Sequence, residues 1–147
     1  MTPPRGSIWQ FQEAVTSRLL VWGAFSVSIG LSMFLVNNPF WTGFASQAVI
    51  WGGIDALIAI FGIISSRKKQ AALLPTTIEA VETAESHNLR RILLINTILD
   101  IFYIAGGIWL ATTQTQPLVQ GIGWGIIVQG GFLFIFDFIH TLLCPKP

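Results

Sequence analysis

Three acidic residues fall within apolar stretches of this 147-residue sequence, and all three are aspartates: Asp55, Asp100 and Asp137. The remaining acids, Glu13, Glu79, Glu82 and Glu85, lie in polar segments. A carboxylate inside a bilayer costs at least ~2.5–3.5 kcal/mol on insertion scales, so each aspartate needs a partner, a water-filled site or a proton. Carboxylates so placed relay protons or bind cations.

Their neighbours form polar faces. Asn96, Asp100 and Tyr103 follow i, i+4, i+7 spacing and make one stripe, with Arg91 just below it. Gln129, Asp137 and His140 are expected to share a face with Leu133 between them. Ala48, Gly52, Asp55, Ala59 and Gly62 make a face of small residues around one carboxylate, which lets neighbouring helices approach closely. At ~1.5 Å per residue, Asp137 and His140 lie ~9 and ~5 Å from the cytoplasmic helix ends, Asp100 about 12 Å and Asp55 about 15 Å. The three aspartates, Asn96, Tyr103, Gln129 and His140 are therefore expected to converge on one intramembrane polar site, with carboxyl groups within about 10 Å of each other, a range at which buried like charges cannot all stay ionised.

Other chemistries fit less well. Haem would need axial ligands in the spans and only His140 is available, a single cysteine excludes dithiol chemistry, and no clustered zinc ligands, phosphate loop or nucleophile elbow is present. Three carboxylates with a tyrosine and a histidine suit a divalent cation or a proton relay equally, so no cofactor or metal is assigned. The structural alternative has Asn96, Tyr103 and Gln129 tying helices together while the aspartates are protonated or paired with Arg91 and His140. Such contacts contribute on the order of 0.6 kcal/mol each, too little to offset an unpaired charge, and this favours function for the aspartates.

The elements that position these residues follow from composition. With 52% hydrophobic and 10% charged residues, the chain reads as an all-α integral membrane protein, a single domain over residues 1–147. About 20 mostly apolar residues cross a bilayer core, and four runs qualify, about 19–36, 44–64, 92–112 and 121–143. The runs are continuous, which excludes the alternation of a membrane barrel. Four spans place Arg5, Arg18, Arg67, Lys68, Lys69, Arg90, Arg91 and Lys146 on one side, opposite two loops without charge. The positive-inside rule then puts both termini in the cytoplasm. Trp41, Trp109 and Trp124 are expected at the outer interface, Trp9 and Trp22 near the inner one.

Segment 1–18 reads as an interfacial amphipathic helix, opened by a capping box at Ser7 to Gln10 and carrying Ile8, Phe11, Val15 and Leu19 at helical spacing. No small-x-small cleavage site follows it, so the first span is expected to be retained. The 65–91 connection reads as cytoplasmic, with a second capping box at Thr76 to Glu79 and a helix running from there through Arg90 and Arg91 into the third span. Arg67, Lys68 and Lys69 read as a contact for anionic lipid headgroups. Nothing resembles a nucleic-acid module. Cys144 is expected to be an inert juxtamembrane residue and His87 a solvated one. Arg18-Leu19-Leu20-Val21 against Arg91-Ile92-Leu93-Leu94, and Trp51-Gly52-Gly53-Ile54 against Gln129-Gly130-Gly131-Phe132, trace a repeat of two helical hairpins.

Leu89-Arg90-Arg91-Ile92-Leu93-Leu94-Ile95-Asn96, Leu99-Asp100, Tyr103, Gly106-Gly107, Gly123-Trp124-Gly125, Gln129-Gly130 and Phe136-Asp137 resemble a family of small, uncharacterised four-helix bacterial membrane proteins. The resemblance implies a four-span protein of the bacterial inner membrane and no biochemical role. The chain does not resemble the small multidrug exporters, whose essential glutamate is on the first helix; here that helix has no acid within its span.

Three functions are consistent with these residues. The first is proton, small-cation or solute binding or transport at the aspartates, with His140 relaying to the cytoplasm and a homodimer enclosing the pathway. The second is an accessory subunit whose polar stripe meets another membrane protein. The third is a metal-dependent enzyme acting on a lipid, for which the spans carry no basic residue to hold a phosphate.

Overall fold

The computed structural model describes residues 7–146; the expected placement of Arg5 and the chain end at Pro147 lie outside the described residues. The structure is four helices, α1 (Ile8–Met33), α2 (Pro39–Ala71), α3 (Ile78–Thr113) and α4 (Pro117–Leu143), and all four are long and apolar enough to cross a membrane.

Local chemistry sets the boundaries. Ser7 caps α1, its hydroxyl accepting from the Gln10 backbone N–H at 3.5 Å. A 3₁₀ turn, Phe34–Val36, tightens the far end and hands the chain to Asn37 at φ 49°, a left-handed conformation that asparagine tolerates. Asn38 then caps α2 through Phe40, with Pro39 in the first helical position, where its missing N–H costs nothing. Pro117 opens α4 in the same way.

Two expectations change. No break separates an interfacial segment from the first span, because α1 is continuous from Ile8. Its first turns bury Ile8 and Trp9 with Cys144, beneath Phe11, Leu73, Val81 and Leu89. The expected helix through Arg90 and Arg91 into the third span is present: α2 extends to Ala71 and α3 begins at Ile78, so at ~1.5 Å per residue the 36-residue α3 is about 54 Å long, longer than a ~30 Å hydrocarbon core. The second capping box does not form, since Thr77 precedes the helix and turns its hydroxyl back to the Leu74 carbonyl.

The helices form two antiparallel hairpins, α1 with α2 and α3 with α4, joined by packing of α2 along α4. Small residues make this possible. A Cβ on Gly52 would meet the Ser26 side chain at 2.7 Å, one on Gly123 would meet the Gly107 carbonyl at 2.8 Å, and one on Gly121 would clash with the Phe40 carbonyl, so backbones touch at all three seams. The interior is accordingly rich in small and polar residues, while many large apolar side chains such as Leu57, Phe61, Ile98 and Ile135 point outward.

Candidate functional site

The Gly-lined seams bring α2 and α4 close, whereas α2 and α3 are not packed backbone to backbone. A cavity of about 550 Å³ opens there. Asp55 from α2, Asp100 from α3 and Asp137 from α4 all border it. None of the three faces outward: their exposures are 3%, 8% and 7%. Asp55 and Asp100 lie within range of each other's charge and both within range of Asp137.

Asn96 and Tyr103 border the same cavity, as their i, i+4, i+7 stripe with Asp100 requires. Asn96, exposed at the rim, is a polar neighbour of the Asp137 carboxyl group. Tyr103 is held from α2: its hydroxyl donates to Gln47 Oε1 at 3.4 Å, while the Trp51 ring meets it edge-on at 4.8 Å. Asp55 Oδ2 and Asp100 Oδ2 differ, being buried without a hydrogen-bond partner. Leu19 from α1 and Leu133 from α4 close the floor; Ile58, Leu99 and Phe102 form the mouth between α2 and α3.

Gln129 and His140 do not join the cavity. Eleven residues apart, they are within about 20° of one line on α4, whereas Asp137 is some 60–80° round the helix from both. They face α1 instead. Gln129 accepts from the Trp22 indole at 3.2 Å and donates to Ser26 at 3.4 Å, and Trp22 stacks on Phe132 with centroids 3.6 Å apart, so Trp22 packs in the seam between α1 and α4. Arg18 reaches His140 Nε2 at 3.1 Å, and His140 Nδ1 lies 2.6 Å from the Phe136 carbonyl. A guanidinium only donates and a carbonyl only accepts, so Nε2 accepts and the ring proton is on Nδ1.

The expected basic partners of the aspartates are thus elsewhere: His140 on Arg18, and Arg91 exposed on α3. Lys69 is paired with Glu85 at 2.6 Å, which also accepts from Gln12, so of the basic cluster Arg67 and Lys68 remain exposed without an ion pair. Among the described residues no three His, Cys, Asp or Glu side chains cluster as metal ligands would. The three carboxylates share a cavity yet are spread around it.

Residues 18–138 match the family described as "Family of unknown function (DUF6992)", which covers most of the chain, and the chain belongs to that family. No curated protein and no solved structure matches it.

Proposed function

We infer that this member of the family is a multi-pass membrane protein that binds protons or a small cation or solute at Asp55, Asp100 and Asp137 and carries the bound species across part or all of the bilayer. The observation that carries the reading is the pair of buried, unpartnered oxygens, Asp55 Oδ2 and Asp100 Oδ2, bordering one cavity that no Lys, Arg or His side chain lines. Burying such groups destabilises the fold, and packing gives nothing in return. A cation or proton arriving in the cavity supplies the missing partner.

The membrane placement rests on four apolar helices whose large side chains point outward, a surface too apolar for water. Seven basic residues among the described ones, Arg18, Arg67, Lys68, Lys69, Arg90, Arg91 and Lys146, stand at the end that carries both termini, and the Asn37 and Thr113 ends carry none. The positive-inside rule puts that end in the cytoplasm. The exposed Trp41, Trp109 and Trp124 then fall at the opposite interface, and Arg67 and Lys68 face lipid headgroups. Binding needs one chain only, since one chain supplies the whole cavity; a homodimer matters only for a continuous path.

The test is flux in proteoliposomes of the purified protein, read with a pH-sensitive dye and with radiolabelled rubidium. Flux that Asp100→Asn abolishes supports the reading. Absence of flux in the parent together with absence of ligand binding at the cavity removes it.

A further inference from the structure

We propose that the aspartate cavity takes a lipophilic organic cation, a quaternary or protonated centre carried on aromatic or aliphatic groups, and that it arrives sideways from the membrane between α2 and α3. This rests on the reading of the cavity as a cation site and names its substrate class.

Size is the first argument. At about 550 Å³ the cavity is in the range that encloses a drug-sized molecule, roughly 300–1,000 Å³, and far exceeds a bare ion. Its walls are the second. Leu19, Ile58, Leu99, Phe102 and Leu133 make most of the lining apolar, and the charge-bearing groups are concentrated in the three aspartates. A cation whose charge is spread over a large apolar body fits such a wall, whereas a small inorganic ion needs several oxygens converging at ~2.0–2.6 Å. Here no three carboxylates converge.

The aromatic pair is the third. Trp51 and Tyr103 meet edge-on and fix each other beside Asp55 and Asp100, offering ring faces that attract a desolvated cation. Fourth, no basic side chain lines the cavity to repel a positive ligand or to welcome an anion.

The route follows from exposure. Ile58, Leu99 and Phe102 border the cavity and are 57%, 58% and 70% exposed on the outer surface, so the cavity mouth lies on the apolar flank of the bundle and not at a polar end. In a bilayer that flank meets acyl chains. A ligand that partitions into lipid reaches the aspartates without crossing a polar loop, and its charge meets the carboxyl groups of Asp55, Asp100 and Asp137 that border the cavity.

The experiment uses the full chain in lipid nanodiscs and tritiated tetraphenylphosphonium, with empty nanodiscs measuring partition into lipid. The expected result is saturable binding at one phosphonium per chain, weakened by about tenfold or more (≥ ~1.4 kcal/mol) in Asp55→Asn and in Asp100→Asn, and undisturbed by excess neutral triphenylphosphine oxide. An independent readout uses Leu99→Cys in a Cys144→Ser background: attaching a cyclohexyl maleimide at the mouth should block binding in a protein whose circular dichroism is unchanged. Binding no greater than in empty nanodiscs, binding indifferent to both aspartate changes, or binding indifferent to the mouth label overturns the proposal. If phosphonium binding is absent while Asp100-dependent proton or rubidium flux persists, the substrate class is wrong and the wider reading stands. If both are absent, both fall.

Discussion

Arg18 on α1 and His140 on α4 are joined by a 3.1 Å hydrogen bond that fixes the histidine ring with Nδ1–H donating to the Phe136 carbonyl. The ring is further enclosed by Phe11, edge-on at 6.0 Å, and Phe136 at 4.1 Å. A ring with both nitrogens committed and an aromatic on each side is a strut between helices; it has no free nitrogen to turn toward the cavity.

His140→Leu therefore lowers stability and leaves cavity binding intact. Hydrogen bonds to a charged group contribute about 1.5–3 kcal/mol, and Arg18 loses its acceptor in this variant. Denaturant titration of the detergent-solubilised protein measures the loss. A variant of parental stability whose flux has changed its pH profile would return His140 to the transport path.

The aspartates divide by partner. Asp137 has Asn96 as a polar neighbour, so Asp137→Leu removes a polar contact and should lower stability by on the order of 0.6 kcal/mol. Asp55 Oδ2 and Asp100 Oδ2 have nothing to lose. Asp55→Leu and Asp100→Leu should therefore match or exceed the parent in thermal stability while abolishing cation binding. Stability falling equally in all three would show that Asp55 and Asp100 are structural.

Parts of this arrangement are legible in the sequence because helical spacing is regular. Gly23, Ser26 and Gly30 on α1, and Ala48, Gly52, Asp55 and Ala59 on α2, are small or polar every third or fourth position, and these are buried faces. Asp100 and Tyr103 are brought together by the same rule. Gln129 and His140 were not separable from Asp137, because residues within about 80° on one helix read as one face until a second helix divides them. Gln47 and Trp22 gave no signal: a glutamine early in an apolar run and a tryptophan near its polar end both suit a solvated or interfacial position. Only the register of α2 against α3, and of α1 against α4, reveals their partners, Tyr103 and Gln129.

Close approach at the seams makes two glycines behave oppositely. A Cβ at position 121 runs into the Phe40 backbone, which cannot swing aside as a side chain can, whereas one at position 106 meets nothing within 4 Å. Gly121→Ala should destabilise by about 1–3 kcal/mol through overpacking. Gly106→Ala should be neutral or better, since alanine is the better helix former. Thermal melts of both in the same detergent make the comparison; equal melting points would mean that α2 and α4 are not in the contact described.

Cys144 sits just past α4, buried against Ile8 and Trp9, with its thiol directed at the Ser86 carbonyl at 3.7 Å. Burial pushes its pKa up, and the nearby Arg90 offsets this only in part. The thiolate is the reactive form, so alkylation should be slow at neutral pH, far slower than for free glutathione, and should accelerate only as pH rises above the ordinary thiol value of about 8.5. Mass spectrometry after timed maleimide exposure reads the rate. Labelling at the glutathione rate near neutrality would mean that the Ile8–Trp9–Cys144 core opens in solution.

Orientation is tested with two markers, each in the Cys144→Ser background. A cysteine replacing Thr115, in the uncharged link between α3 and α4, should react with a membrane-impermeant thiol reagent added outside intact cells. A cysteine replacing Lys68, at the end of α2 that carries the basic residues, should react only after the membrane is permeabilised. The electrostatic bias is one-sided, with seven cations among the described residues at one end and none at the other, and topology follows the Lys and Arg of short flanking segments. The reverse labelling pattern would invert the protein in the bilayer and move the aspartates to the half-membrane facing away from the cytoplasm; labelling of both sites from one side would contradict the single crossing by α3 that separates them.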